Sequence, residues 1–248
     1  MRDIVLSQLL EAGCHFGHQV SRWNPKAKEF IYAERDGVHV IDLVKTKKGL
    51  EEAARFLINT ASAGGSIIFI GTKRQAKGIV EEEAKRAGVF YVTTRWIGGL
   101  ITNWEEVKKN LDKITNLEDK IKNVDGIYTK AEVGKFQRIV NKLLTFYGGV
   151  RGLLEVPKAV VVVDIRKEDN CVREANIRGV PVVGLVDTNS DPTSIPYAIP
   201  ANDDATGSIK LLVSYLADAV LEGKKVLGDK KEKEEKSKAP KEVEEVKK

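Results

Sequence analysis

Apolar positions recur at two different spacings along this chain, and the switches between them mark out its elements. Ser7 to Ala12 reads as a short amphipathic helix. In "EFIYAERDGVHVIDL" apolar residues alternate on both sides of Asp36-Gly37, a dipeptide that favours a tight turn, so a β-hairpin is expected there. Leu43 to Thr60 returns to helical spacing, with Leu43, Leu50, Ala53, Ala54 and Leu57 on one face.

From Ser66 the grammar changes. "SIIFIGTKRQAKGIVEEEAKRAGVFYVTTRW" reads as strand, loop, helix and strand, the helix ending at Gly88. "PKAVVVVDIRKEDNCVREANIRGVPVVGLVDTNSDP" repeats it, with strands at Val160 to Val163 and Val182 to Val186 and a helix over Asp169 to Ile177. "YAIPANDDATGSIKLLVSYLADAVLEGK" adds a short strand and a closing helix. Continuous apolar strands alternating with helices predict a parallel sheet covered on both faces, an α/β fold.

A different pattern lies between the two halves. Trp104, Val107, Leu111, Ile114, Leu117, Ile121 and Val124 are spaced by threes and fours, and so are Val133, Phe136, Val140, Leu143 and Tyr147. Thr129 and Glu132 have the spacing of a capping box. The charge-rich outer faces predict an inserted antiparallel coiled-coil hairpin over 103–150. It would interrupt an α/β domain made of 1–102 and 151–227. The segment 228–248, almost without apolar residues, is expected to be a disordered charged tail.

Composition narrows the partners only slightly. A net charge of +5 permits an anionic partner without demanding one. The two cysteines, Cys14 and Cys171, make no disulfide framework, and the opening residues lack the long apolar stretch of a signal peptide. The longest apolar runs, such as Ala159 to Val163, are too short to span a bilayer. The expectation is a soluble cytoplasmic protein.

"GCHFGHQVSRWNP", Gly13 to Pro25, concentrates the candidate chemistry. Cys14, His15 and His18 are zinc candidates by residue type, but a structural zinc site needs four ligands and no C-x-x-C pair accompanies them. A cysteine nucleophile beside a histidine base is the second reading. The plainer one has His15 and His18 satisfying backbone groups; no metal and no cofactor are assigned. Arg22, Lys26, Lys28 and Arg35, interleaved with Trp23, Phe30 and Tyr32, suit an anionic partner better, since cations meet phosphates and rings stack on unpaired bases. "GTKRQAKG" passes from strand to helix, where phosphate is favoured, and carries Lys73 and Arg74. It matches neither G-x-x-x-x-G-K-[ST] nor G-x-G-x-x-G, which disfavours a bound nucleotide. Asp187, Asp191, Asp203 and Asp204 fall near carboxyl ends of strands. They suit helix caps and turns, or, in an enzyme alternative, a magnesium-dependent phosphoryl transfer using Asp187 and Asp191.

"HFGHQVSRWNPKAKEFIYAERDGVHVIDLVKT", "GTKRQA", "RWIGGLITNW", "GVPVVGLVDTNSDP" and "IPANDDA" together resemble, in that order, the bacterial form of the small-subunit ribosomal protein S2 family. Pro157 to Pro181, with Asp164, Glu168 and Glu174, also resembles a family signature, and the likeness covers about residues 1–225. The resemblance implies a flavodoxin-like (Rossmann-like) parallel sheet with a coiled-coil insertion, and a place on the solvent side of the small subunit between head and body. It implies contact with small-subunit (16S) rRNA and neighbouring ribosomal proteins, and help in recruiting ribosomal protein S1. No enzymatic activity, small-molecule substrate or membrane partner is implied. On this reading Arg22, Lys26, Lys28, Lys73, Arg74 and Arg95 are the candidate phosphate contacts. Trp23 and Trp96 either pack or stack near RNA or are buried in the core, and Asn24 and Asn103 are candidates to hydrogen-bond sugar or backbone.

Overall fold

The structure is a computed structural model that describes residues 3–122 and 128–238. After α1 (Leu6–Glu11), three strands, β1 (Phe16–Gln19), β2 (Ile31–Arg35) and β3 (Val38–Ile41), form a small antiparallel sheet in the order β1-β3-β2. The expected hairpin is β2–β3. Asp36 and Gly37 both take positive φ, 53° and 75°, as a two-residue turn matched to strand twist requires. The pattern of the sequence does not predict β1: the Gly13–Pro25 stretch is in part a strand, paired with β3.

The main body follows the strand–helix alternation. α2 (Leu43–Ser62) leads to β4 (Ile67–Ile70), α3 (Lys77–Ala87) and β5 (Phe90–Val92). Gly88 terminates α3 in the left-handed region, at φ 63°. After α4 (Trp104–Lys122) and α5 (Lys130–Tyr147) come β6 (Ala159–Val163), α6 (Asp169–Ile177), β7 (Val182–Val186), β8 (Tyr197–Pro200) and α7 (Thr206–Lys238). Five strands pair in parallel in the order β5-β4-β6-β7-β8, which is the flavodoxin-like order. Strands β4, β6 and β7 are buried at every position, so they read as unbroken apolar runs rather than alternating ones.

Two apolar layers hold the helices to the sheet. On one face Leu50, Leu57, Phe69, Val161, Leu212 and Leu216 join α2, α3 and α7 to the strands. On the other, Ile68, Val160, Trp104, Leu111 and Val172 join α4 and α6 to them. The helices α4 and α5 meet each other, and Thr129 with Glu132 forms the expected reciprocal capping box. Val124 lies outside the described residues. α7 continues as helix to Lys238, so the first part of the segment expected to be disordered is helical. Residues 239–248 lie outside the described ones. The lysine and glutamate residues of that first part are good helix formers, and helix propensity outweighs their lack of an apolar face. No described helix is long and apolar enough to cross a membrane.

Gly49 shows how tightly the first face is packed. It lies inside α2, where glycine costs about 1 kcal/mol relative to alanine. A Cβ there would stand 2.5 Å from the Ala198 carbonyl oxygen of β8. Gly49→Ala should therefore destabilise the chain by about 1–3 kcal/mol despite the better helix propensity, measured by urea unfolding.

Candidate functional site at the carboxyl edge of the sheet

In a sheet of this order, the strand succession reverses between β4 and β6, and the loops leaving those strands splay apart to open a crevice. In this chain the crevice is filled by side chains of the fold. The loop after β4 supplies Thr72 and Lys73, and the loop after β6 supplies Asp164 and Glu168. The Lys73 ammonium lies 2.9 Å from Asp164 Oδ2, 2.6 Å from Asp203 Oδ1 and 2.7 Å from Asp204 Oδ1. The Thr72 hydroxyl donates to Glu168. Asp164 closes its turn with a positive φ of 65° and accepts from the Lys167 N–H at 3.0 Å.

His18 enters the same cluster from β1. Its Nδ1 is 2.8 Å from Asp187 Oδ1, and its Nε2 is 3.4 Å from Asp204 Oδ2. Asp187, buried at the end of β7, also accepts from the Thr188 N–H, and the Thr188 hydroxyl accepts from the His18 N–H. The Asp187 hydrogen bond raises the pKa of His18 against the opposing effect of burial. Burial alone would lower the pKa of Lys73, but the charge and hydrogen bonds of Asp203, with Asp204 and Asp164, hold it above the usual range. Burial first, and then the charges of Asp164 and Asp187, push Asp203 up to about 7 even with Lys73 beside it. Both lysine and aspartate shift upward, the signature of a cluster with more carboxylates than cations.

Beside this network lie two open clefts. One, of about 540 Å³, is lined by Arg22, Trp23, Asn24, Arg166, Asp169 and Asp191 among others. The second, of about 680 Å³, is lined by Arg95, Trp96, Lys167, Glu168, Arg173 and Glu174 among others. Arg22, Lys28, Arg74, Arg95, Arg166 and Lys167 are exposed, and none of them forms an ion pair with a described residue. Arg173 pairs with Asp169 one helical turn away.

The sequence-derived candidates thus separate into groups. Arg22, Lys28, Arg74 and Arg95 face solvent. Lys26 is exposed and lies 2.6 Å from Asp191 Oδ2. Lys73 is only 14% exposed, and its charge is consumed inside the fold, a role that residue type alone does not reveal. Asn24 caps the 3₁₀ turn Pro25–Phe30 by accepting from the Lys26 N–H, while Asn103 stays exposed. Trp23 is half-buried, its ring 5.3 Å from that of His39. Trp96 is buried and packs among the residues under α4.

The zinc candidates do not converge. Cys14 is buried in the apolar layer, where burial pushes its thiol up, and His15 lies against Phe16 at 4.0 Å between ring centroids. His18 is held by carboxylates rather than backbone groups, contrary to the plainer expectation. Its partners come from loops far away in sequence, so spacing could not reveal them. Arg166, Lys167 and Arg173 are cleft residues that the motifs of the sequence do not single out. The available signal is "DIRKEDN" directly after a buried strand, the position from which a parallel sheet presents its ligands.

Glu174 holds the second cleft in shape. Its Oε1 accepts from Trp96 Nε1 at 2.9 Å and the Gly99 N–H at 2.8 Å. Its Oε2 accepts from the Ile101 and Thr102 N–H groups and the Thr102 hydroxyl at 3.1–3.3 Å. One carboxylate on α6 thereby pins the whole turn from Trp96 to Thr102 ahead of α4. A sequence model of the family described as Ribosomal protein S2 matches residues 9–223.

The chain belongs to the ribosomal protein S2 family.

That match runs from α1 into α7 and includes β1, both clefts and the ion network. The family is a structural, non-enzymatic one of the small ribosomal subunit. Asp187 and Asp191, the carboxylates of the phosphoryl-transfer alternative, have turn-closing roles: Asp187 accepts from Thr188 and Asp191 from Thr193. Neither the family nor this geometry supports that alternative.

Burial alone would raise the pKa of Glu174, but its donors from Trp96, Gly99, Thr102 and Ile101 outweigh it and leave the carboxyl below its ordinary value. The stabilisation is therefore complete above the ordinary carboxylate range and is lost as pH falls through the folded-state value. Glu174→Gln should cost about 1.5–3 kcal/mol at neutral pH, and should flatten the acid limb of stability against pH in urea titrations.

Proposed function

We propose that the chain is a structural, RNA-binding constituent of the small ribosomal subunit, working in the cytoplasm, with the two clefts at the carboxyl edge as its contact surface for small-subunit rRNA. The observation that carries this reading is the set of exposed cations there without an ion-pair partner among the described residues. Arg22 and Arg166 flank one cleft, Arg95 and Lys167 the other, and Lys28 and Arg74 lie on neighbouring loops. A polyanion is the partner that such cations suit, because each neutralised phosphate releases a condensed counterion. Lys26 shares its charge between Asp191 and the partner. Asn103 and the exposed edge of Trp23 serve as auxiliary contacts. Lys73, Trp96 and Asn24 act indirectly, by keeping the loops in place.

The remaining partners are neighbouring small-subunit proteins, including ribosomal protein S1, whose recruitment the chain assists. The α4–α5 pair is read as a coiled-coil hairpin. Val107, Leu111, Ile114 and Leu117 on α4 and Phe136, Val140 and Leu143 on α5 keep the three-and-four spacing of a knobs-into-holes seam.

Binding of the full chain to small-subunit rRNA, measured over a range of salt concentrations, tests the assignment. Arg22→Ala and Arg95→Ala should each weaken binding and lower the slope of log K against log salt by about one. Lys73→Ala should lower the unfolding midpoint and leave that slope unchanged. A slope that falls for Lys73→Ala but not for the two arginine variants would reverse these roles.

A further inference from the structure

The ion network at the carboxyl edge has unequal sides. Of the carboxylate oxygens of Asp203 and Asp204, Lys73 pairs with the Oδ1 atoms. Asp204 Oδ2 instead lies 3.4 Å from His18 Nε2. Asp203 is fully buried, and its Oδ2 has no hydrogen-bond partner among the described residues. A buried carboxylate oxygen without a donor is costly unless a proton or a cation meets it. Three carboxylates, Asp164, Asp203 and Asp204, gather around the one ammonium and a fourth, Asp187, faces His18, so carboxylates outnumber the cations of the cluster. Donor atoms of His18, Asp203 and Asp204 all lie within 4.8 Å of one another.

We propose that His18, Asp203 and Asp204 hold a divalent cation of the zinc type, tying β1 to the loop after β8. The ligand chemistry selects this class. An imidazole nitrogen with two carboxylate oxygens suits a borderline first-row cation, whereas magnesium prefers an all-oxygen shell and retains its waters. A supporting carboxylate stands close by. Asp187 Oδ1 lies 2.8 Å from His18 Nδ1, at an angle short of a hydrogen bond, and a small turn of the ring would give the carboxylate–histidine arrangement that places the proton on Nδ1 and leaves the Nε2 lone pair for a metal. Asp187 is itself fixed by the Thr188 and Asp203 N–H groups. The two aspartates bridge the ammonium on one side and the metal on the other, so Lys73 and the cation complement each other. The site is distinct from the Cys14–His15–His18 set suggested by sequence proximity, since it uses His18 without either neighbour. The proposal does not depend on RNA binding, and its test contains no RNA.

The test is calorimetric titration of the metal-stripped full chain with zinc chloride, alongside cobalt(II) absorption spectroscopy. The wild-type chain should take up one zinc per molecule. Asp204→Asn, at a half-exposed position, and His18→Gln should abolish uptake or weaken it by more than about tenfold. Asp187→Asn should weaken it by about 10–100-fold. The cobalt form should show visible d–d bands without a thiolate charge-transfer band, and Cys14→Ser should bind like wild type. Circular dichroism checks that each variant is folded. The proposal is overturned by wild-type chain that takes up no stoichiometric zinc, or by uptake that Asp204→Asn and His18→Gln leave unchanged. A thiolate band that Cys14→Ser removes also overturns it, and this readout needs no variant of the three ligands.

Discussion

One ammonium group among carboxylates organises the carboxyl edge of this protein. Lys73 leaves the loop after β4 and reaches Asp164 on the loop after β6 and Asp203 and Asp204 beyond β8. Those loops come from three strands, β4 and β6 on either side of the point where the strand order reverses and β8 at the edge of the sheet. Removing one partner of such a buried cluster strands the others without compensation, at a cost of about 3–5 kcal/mol. The crevice that many sheets of this order leave open for a ligand is thus occupied by the protein's own charges.

The loops of the rim are each held by a side-chain cap or clamp. Glu174 fixes the turn from Trp96 to Thr102, Asn24 caps the turn that follows Trp23, and Asp164 closes the loop bearing Arg166 and Lys167. Cations carried on loops pinned in this way lose little conformational freedom when they meet a partner. The same division of labour fits a structural family. Buried charges set shape, and exposed charges are left for a neighbour.

Much of the fold was legible because its signals are local. The runs at Ile67–Ile70, Ala159–Val163 and Val182–Val186, each closed by a turn, announce buried parallel strands, and Asp36-Gly37 announces a hairpin. The boundaries of α6 and β7 fall where periodicity puts them. β1 is hidden because "FGHQ" is short, carries no apolar alternation and pairs only through β3. The helical continuation of α7 through the lysine–glutamate segment is hidden because a missing apolar face suggests disorder, while propensity alone sustains the helix.

The candidate site was legible in residue type but not in role. Lys73 and Arg74 are adjacent cations in one loop, yet one is enclosed by three carboxylates and the other faces solvent. His18 and Asp204 are far apart in sequence, and only the fold makes them neighbours. The central claim, that this edge is a rigid surface presented to RNA, is tested most directly by amide hydrogen exchange of the full chain, free and within assembled small subunits. Added protection concentrated in residues 20–28, 93–99 and 164–170 is the predicted result. Unchanged exchange in those loops, with protection falling instead on the α2–α7 face, would contradict it.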